Sequence, residues 1–396
     1  MKEFNTRVFS TLSFSIFTSV TGVGIVVPLL PVYAHDLGAS GIYIALIFSA
    51  FSLSRTLLIP YFGKISDQKG RKPFIVCGLL AYALISLAYI FSTNVESLIA
   101  IRFIQGIASA MIMPVVQAYV GDITPEGHEG ITMGLFNISL FVGMSIGPLI
   151  GGYINELFSL QGAFISMGVL SIIGCLLSLF FLPPTDTEQM ATNKKEPVSW
   201  TQLLTDRHMK GLFLFRFGYA SGIGIIWGFL PVFADTEFSL SSSSIGILVI
   251  LAVLISGLLH APMGFLADRI NKRAMVIAGG AITVFALFSY KFAHGFGDLV
   301  LANLCYGFGG GISMPALTAM ATIKGNRAGA MGSIMGLIMM AHSLGMLVGS
   351  LLGGIIMDML NLRCAFVSGA VIIGLNTVIF MFCTHPIREP EAAPPS

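Results

Sequence analysis

Three arginines and two histidines lie inside long apolar stretches of this 396-residue sequence, where ionisable side chains are uncommon. These residues are Arg55, Arg102, Arg216, His342 and, close to the end of its stretch, His260. A guanidinium can bind an anionic group through paired hydrogen bonds, and an imidazole, with an ordinary pKa of about 6.5, can exchange a proton near neutral pH. All 19 acidic residues lie outside these stretches or at their edges. The pattern therefore indicates binding of an anionic group, or proton transfer, in an apolar environment.

Each arginine has a second interpretation, because a long basic side chain near a membrane surface can extend to the lipid head groups. For Arg102 we expect a functional role in contact with Asp36. For Arg216 we expect an extended side chain near Asp206 at the surface. For Arg55 the sequence leaves both interpretations open.

His342 lies about 13 residues into its apolar stretch, which at about 1.5 Å per helical residue places it near the middle of a bilayer. It is a candidate for proton coupling, as are Asp36 and Asp358 at the edges of their stretches. The other interpretation is a neutral histidine that is hydrogen-bonded to a neighbouring helix.

The elements that position these residues are predicted to be membrane-spanning helices. Hydrophobic residues make up 55% of the chain and charged residues 10%, with 45 glycines, which is untypical of a soluble domain. Apolar runs of about 20 residues, long enough to cross a hydrocarbon core of about 30 Å, recur along the chain. The sequence therefore predicts an all-α membrane protein with twelve transmembrane helices, at roughly 9–33, 41–62, 74–92, 97–121, 130–152, 162–182, 211–234, 244–266, 274–292, 298–321, 329–357 and 363–384.

The distribution of Lys and Arg predicts how the chain is oriented. If the N-terminus is cytoplasmic, the cytoplasmic segments hold 16 basic residues and the opposite segments hold only Lys291 and Arg363. Since cytoplasmic segments of membrane proteins carry an excess of basic residues, we expect both termini to be cytoplasmic. We expect the protein to lie in a bacterial-type inner membrane or a plasma membrane. The first span is too long for a signal peptide that is removed, so we expect it to remain in the protein.

Four sequence matches recur at an offset of 200 to 202 residues, which indicates an internal repeat. "GVGIVVPLLPVYA" (22–34) matches "GIGIIWGFLPVFA" (222–234), and "GKISDQKGRK" (63–72) matches "GFLADRINKR" (264–273). Two copies of a six-span bundle are therefore predicted, related by an axis along the membrane normal because six is even. The predicted units are residues 1–182, a cytoplasmic linker over 183–210, and residues 211–396 with a short cytoplasmic tail.

Several motifs resemble those of the major facilitator superfamily, over the whole chain. "GKISDQKGRK" is similar to the signature G-x-x-x-D-x-x-G-R-K between the second and third spans, and "RFIQG" (102–106) resembles the fourth-span motif R-x-x-Q-G. "GMSIGPLIGG" (143–152) resembles the fifth-span motif G-x-x-x-G-P-x-x-G-G of the twelve-span drug:proton antiporters. The resemblance implies a major facilitator fold of two pseudo-symmetric six-helix bundles. The residues that carry the fourth-span motif are Arg102, Gln105 and Gly106.

The loop motif has a physical role that the resemblance helps to define. A carboxylate just before the third span can meet exposed helix N–H groups, and Arg71 can pair with Asp122 at the end of the fourth span. The resemblance implies that this cluster joins the halves on the cytoplasmic side in one conformation, although "KGRK" alone is also a topology signal. We call the cluster the cytoplasmic latch, which consists of Gly63, Asp67, Gly70, Arg71, Lys72 and Asp122.

Glycines at intervals of four residues occur in the fifth span and again in the eleventh. Such a face allows close approach of another helix, and Pro148 is expected to bend the fifth span. We expect a seam that lets one bundle rock against the other, with tight helix packing as the alternative. The seam consists of Gly143, Gly147, Pro148, Gly151, Gly152, Gly345, Gly349 and Gly353.

The resemblance places the first, fourth, seventh and tenth spans around a central cavity. Few polar groups are available there, which suits a lipophilic ligand better than a sugar. The cavity candidates, with Arg55 from the second span, are Thr21, Arg55, Gln117, Tyr219, Trp227, Asn303 and Tyr306. Each residue can equally be a packing contact between helices.

These features favour a secondary active transporter that exports lipophilic or amphipathic small molecules by alternating access and is coupled to protons. The alternative is a facilitator or exchanger of an organic anion or a lipid-like metabolite. We expect a monomer in the lipid bilayer with a small-molecule substrate and no cofactor, metal, disulfide or nucleic-acid partner. An enzyme is not expected, because the sequence shows no nucleophile with a base, no metal cluster and no phosphate-binding loop.

Overall fold

The computed structural model describes residues 5–124, 129–184, 205–328 and 331–384, and their regular structure is helical. Twelve helical segments among these residues are long and apolar enough to cross a membrane, in the order that the sequence predicts. We number them spans 1 to 12. Residues 185–204 of the predicted linker and the predicted tail from residue 385 lie outside the described residues.

Span 1 is interrupted at Pro28, which has no backbone N–H and separates two helices, Thr6–Val26 and Leu29–Asp36. A short 3-10 turn, Tyr290–Phe292, extends span 9. Spans 2 to 12 are each one α-helix, with the bounds Gly41–Lys69, Lys72–Ile90, Val95–Ile123, Glu129–Leu157, Leu160–Phe181, Arg207–Phe238, Ser242–Arg269, Lys272–Ser289, Phe296–Ala328, Met331–Met359 and Leu362–Cys383.

Polar residues fix where many helices begin. In each case a side-chain oxygen accepts a hydrogen bond from a backbone N–H three residues further on, which satisfies a donor that the helix itself cannot. These capping residues are Asn5, Asn94, Ser159, Asp206, Ser241, Asn271 and Asn361. Beyond the caps, a helix satisfies its own backbone groups, as a membrane interior requires.

The spans pack as two groups of six that repeat one arrangement. In the first half, span 1 packs on spans 5 and 6, span 2 on span 4, and span 3 on spans 4 and 6. In the second half, span 7 packs on spans 11 and 12, span 8 on span 10, and span 9 on spans 10 and 12. The halves meet where span 2 packs on span 11 and span 5 packs on span 8. The fold is therefore two pseudo-symmetric six-helix bundles.

Candidate functional site

Spans 2 and 11 are joined at the end of the molecule opposite Asn5 and Thr384; we call this the distal end and the other the terminal end. Asp358 accepts hydrogen bonds from the backbone N–H groups of Gly41, at 2.6 Å, and Ile42, at 2.9 Å. A carboxylate in this position satisfies unpaired donors and meets the positive end of the helix dipole. Asp358 therefore caps a helix of the other half.

Spans 5 and 8 repeat this arrangement on the other side of the distal end. Glu156 Oε2 accepts a hydrogen bond from the backbone N–H of Ser243 at 3.1 Å, and Asn155 Nδ2 donates to Ser242 Oγ at 2.7 Å. Glu156 and Asp358 are 202 residues apart, the same offset as the glycine motifs. We call these two carboxylate contacts the distal caps.

Ion pairs at the terminal end, by contrast, join residues of the same half within the described ranges. Arg71 Nε donates to Asp122 Oδ2 at 3.1 Å, the pairing that the sequence predicts. Lys324 Nζ donates to Asp206 Oδ2 at 2.7 Å. Partial burial raises the pKa of Asp206, but hydrogen bonds from Lys324 and from the backbone N–H of Met209 lower it more, so the pKa lies below its usual range.

The glycines of the repeated loop motif, at the terminal end, face open space among the described residues. A side-chain carbon added at Gly63 or at Gly264 would meet no atom within 4 Å. A carbon added at Gly152, near the distal end, would lie 3.0 Å from the Cα of Ser243 in the other half. Among the described residues, the halves are therefore in close contact at the distal end, whereas there is open space beside Gly63 and Gly264 at the terminal end.

Asp67, the acidic residue of the cytoplasmic latch, does not precede the third span in a loop as predicted. The helix of span 2 continues to Lys69, so Asp67 stands in its last turns. The side chain of Asp67 lies outside what the structure describes. Gly70 then ends the helix with a φ of 89°, which favours glycine, and Lys72 begins the next helix.

The glycine seam packs inside each half, so most of its members do not lie between the two bundles, and tight helix packing, the alternative that the sequence left open, describes their contacts. A Cβ at Gly147 would lie 2.7 Å from the carbonyl oxygen of Thr21 in span 1, and one at Gly353 would lie 2.7 Å from the ring of Phe229 in span 7. Periodicity identifies a face of small residues but not the helix that packs on it. The glycines that face their own half are Gly143, Gly147, Gly151, Gly345, Gly349 and Gly353.

Arg102 is 1% exposed and its predicted partner is wrong. Its Nη1 donates to Gln105 Oε1 at 2.9 Å, and its guanidinium lies over the rings of Phe48 and Phe51, at 5.0 and 4.7 Å from their centroids. Asp36 is exposed at the distal end and forms no ion pair with Arg102 in the described residues. A glutamine three residues along the same helix and cation–π contacts take the place of the expected carboxylate.

Arg55 and Arg216 are held in the same unusual way. Arg55 Nη2 donates to the thioether sulfur of Met113 at 3.1 Å, and Arg216 Nη1 donates to that of Met314 at 2.7 Å. The Nε atoms of both arginines are buried without a hydrogen-bond partner. Arg216 therefore does not extend to Asp206, which pairs with a lysine instead.

The two histidines of the membrane interior differ in their hydrogen bonding. His260 Nδ1 lies 2.6 Å from the carbonyl oxygen of Ser256, and its ring contacts Phe141 of the other half at 5.3 Å between centroids. His342 Nδ1 is buried and has no hydrogen-bond partner. His342 therefore lacks, at this nitrogen, the bond to a neighbouring helix that one interpretation of the sequence required.

Most of the cavity candidates pack between helices. Tyr306 donates from its hydroxyl to the backbone carbonyl of Tyr219 at 2.9 Å, and the two rings stack at 5.3 Å. Gln117 and Trp227 are half-buried. The candidates that are buried are Thr21, Tyr219, Asn303 and Tyr306.

A cavity of about 390 Å³ opens between spans 1 and 5, away from these candidates. Its wall combines aromatic rings with hydroxyl groups, which suits an apolar molecule with a few polar atoms. The lining residues are Phe9, Ser10, Ser13, Phe14, Phe17, Leu135, Ile138 and Ser139.

Three residues in these contacts escaped the sequence reasoning, namely Met113, Met314 and Glu156. The repeat could have found them, since Met113 and Met314 are 201 residues apart and each precedes a proline. Glu156 corresponds in the same way to Asp358. The repeat does not show which residue of another span each of them contacts, and the structure was required for that.

Twelve spans in two pseudo-symmetric halves that are in contact at the distal end are the architecture of a membrane transporter. The Major Facilitator Superfamily model matches residues 12–221 and 212–396, and the chain therefore belongs to that superfamily. It is consequently not an enzyme.

Named relatives cover nearly the whole chain. Multidrug resistance protein 2 of Bacillus subtilis is 28% identical over 385 residues, which cover 93% of this chain and 94% of that protein. Quinolone resistance protein NorA of Staphylococcus aureus is 27% identical over 363 residues, with coverage of 89% and 90%. An uncharacterized MFS-type transporter of Methanocaldococcus jannaschii is 28% identical over 359 residues, with coverage of 90% and 92%.

Solved structures share the fold at low sequence identity. A bacterial homologue of the human lysosomal transporter Spinster has a TM-score of 0.80 at 12% identity and covers 97% of both chains. The human organic anion transporter MFSD10 has a TM-score of 0.66 at 20% identity, with coverage of 95% and 99%.

Proposed function

We propose that the protein is a secondary active transporter that exports lipophilic or amphipathic small molecules by alternating access, driven by a proton gradient. Two relatives whose names denote multidrug and quinolone resistance support the choice of substrate class. The sparse polar groups along the spans and the aromatic cavity between spans 1 and 5 support it further.

One observation carries the proposal: the described residues of the two halves are in contact from the distal end to Phe141 and His260, with open space beside Gly63 and Gly264 nearer the terminal end. Hydrogen bonds and ring contacts between the described residues of the two halves reach from the distal caps to the level of Phe141 and His260. Beyond that level, an added carbon at Gly63 or Gly264 meets nothing. Two rigid bundles with one closed end can expose a central site alternately to either side of a membrane.

We propose that the terminal end is cytoplasmic, in keeping with the excess of basic residues there. The conformation described is then open to the cytoplasm, as an exporter requires for loading. We propose further that the bundles are the units 1–182 and 211–396, joined by the linker 183–210, and that the protein works as a monomer.

Proton coupling needs a group that can gain and lose a proton during the cycle. His342 is our first candidate, since its buried Nδ1 has no hydrogen-bond partner to hold one tautomer. Asp36 is the second, and it lines a distal cavity of about 140 Å³ together with Asn155 and Ser242. Both candidates lie where a change between the two conformations alters access to water.

A flux measurement in proteoliposomes tests the proposal. The probes are lipophilic cations, neutral lipophiles and organic anions, each with and without an imposed pH gradient. Transport of amphipathic probes that follows the gradient is expected, together with weaker coupling in His342→Gln. Gradient-driven transport that is unchanged in His342→Gln would exclude His342 as the proton carrier. Wild-type flux that does not change with the pH gradient would contradict proton coupling.

A further inference from the structure

Four basic side chains lie at neighbouring depths in the membrane region: Arg55, Arg216, His260 and His342. Each lies nine to fourteen residues from the terminal end of its helix. At about 1.5 Å per residue, this spacing places all four in a layer about 14–21 Å from the terminal end. We call it the basic layer.

The basic layer draws on both halves, since Arg55 lies in span 2 and the other three residues lie in spans 7, 8 and 11. Arg216 is close enough to interact electrostatically with both histidines, and Arg55 with His342. Within the twelve spans, every acidic residue lies within three residues of a span end. The described spans therefore hold no carboxylate at the depth of this layer.

The two guanidinium groups are poorly satisfied where they stand. A methionine thioether, the partner of Arg55 Nη2 and of Arg216 Nη1, is only a weak acceptor, and each Nε is buried without a partner. Burial of a charged group without strong hydrogen bonds costs free energy. We therefore expect a ligand to supply the hydrogen-bond acceptors that these two guanidinium groups lack. Extension to the lipid surface does not explain the geometry, because Met113 and Met314 hold the Nη atoms inside the protein.

We propose that the basic layer binds the acidic group of an amphipathic anion, with Arg55 and Arg216 as its direct ligands. The acidic group is a carboxylate, sulfonate or phosphate on an apolar body. This inference rests on the proposed function and narrows its substrate class. An anion shared by one arginine from each half also draws the halves together at the terminal end, which is the movement that transport requires.

Binding of three probes with one apolar body tests the site. Naphthalene-2-carboxylate, naphthalene-2-carboxamide and 2-naphthylmethylammonium are titrated into the full-length protein in lipid nanodiscs by calorimetry. We expect the carboxylate to bind at least about tenfold more tightly than the amide, since a charge-assisted bond is the stronger one. Arg55→Gln and Arg216→Gln should lose this preference, whereas Arg269→Gln, at an exposed arginine over Phe265, should keep it.

Lysine variants distinguish loss of the binding site from loss of the folded protein. Arg55→Lys and Arg216→Lys keep the charge but not the planar paired donors, so weaker binding with a retained preference for the carboxylate is expected. Equal affinity for carboxylate and amide in the wild type, or glutamine variants that keep the wild-type preference, would overturn the anion site. Lysine variants that match the glutamine variants would overturn it too.

Flux of the same probes separates this inference from the proposed function. Carboxylate binding with the expected preference but no transport of any probe would contradict the proposed function and support the anion site. Transport of the amide and the carboxylate at equal rates, unchanged in the two glutamine variants, would overturn the anion site and support the proposed function.

Discussion

The two ends of the molecule are held by different kinds of contact. At the distal end, a carboxylate of one half caps a helix of the other, and glycines bring the backbones together. At the terminal end, ion pairs such as Arg71–Asp122 and Lys324–Asp206 join residues of a single half. The distal contacts therefore oppose separation of the halves, whereas these terminal ion pairs stabilise each half without joining the two.

The largest effect is expected from a bulky residue at the closed contact. A Cβ on Gly354 would collide with the carbonyl oxygen of Gly41 and lie 2.7 Å from the Cβ of Ala45, so Gly354→Val should prevent distal closure. Overpacking of about 1–3 kcal/mol shifts the equilibrium roughly 5- to 150-fold and should reduce flux in proportion. Gly297→Val is the matched control, because a carbon there meets no atom within 4 Å. Normal flux through Gly354→Val would contradict the closed contact.

Loss of a distal cap should act in the same direction but less strongly. Asp358→Ala removes two acceptors from the start of span 2, which weakens distal closure by on the order of 1 kcal/mol, or about fivefold. Reaction of a cysteine at Ser40 with a water-soluble maleimide should become faster. Asp298→Ala at the same end, where Asp298 accepts from the backbone of His294, serves as control. An unchanged rate in Asp358→Ala would show that the cap does not hold the halves.

A change at the terminal end should lower stability without opening the distal end. Arg71→Gln breaks a partly buried pair with Asp122 and should lower the free energy of unfolding by about 1 kcal/mol. Thermal unfolding in detergent measures the loss, and the maleimide rate at Ser40 should match the wild type. Faster labelling in Arg71→Gln would mean that the two ends are not independent in this conformation.

The smallest effect is expected from the second cap. Glu156 accepts one backbone hydrogen bond at the exposed edge of spans 5 and 8, where Asn155 makes a further contact to Ser242. Glu156→Gln keeps an acceptor and should change distal labelling less than Asp358→Ala. A larger effect of Glu156→Gln than of Asp358→Ala would reverse the ranking of the two caps.

The sequence predicted the spans, their number and the repeat, because apolar length and a constant offset are properties of the chain alone. It also predicted the Arg71–Asp122 pair, since both residues lie at the ends of consecutive helices near one surface. Span 1 was predicted as one segment, and Pro28 divides it.

Contacts between distant spans were beyond the sequence. The glycine spacing showed a face for close packing but not that span 1 or span 7 would occupy it. Arg102 has Gln105 as partner instead of Asp36, because the distance between two helices at one depth is set by the packing of the whole bundle. The contacts of Arg55 and Arg216 with methionines also depend on how the helices of each bundle pack, so the sequence did not predict them.

One distance measurement tests the central claim, that the ends open and close reciprocally. Spin labels are attached in pairs in proteoliposomes, at Ser40 and Met359 for the distal end and at Lys69 and Lys272 for the terminal end. When a transported probe is added, the distal distances should lengthen and the terminal distances should shorten in the same molecules. Distances that stay fixed, or that lengthen together at both ends, while flux continues would contradict alternating access by the two halves.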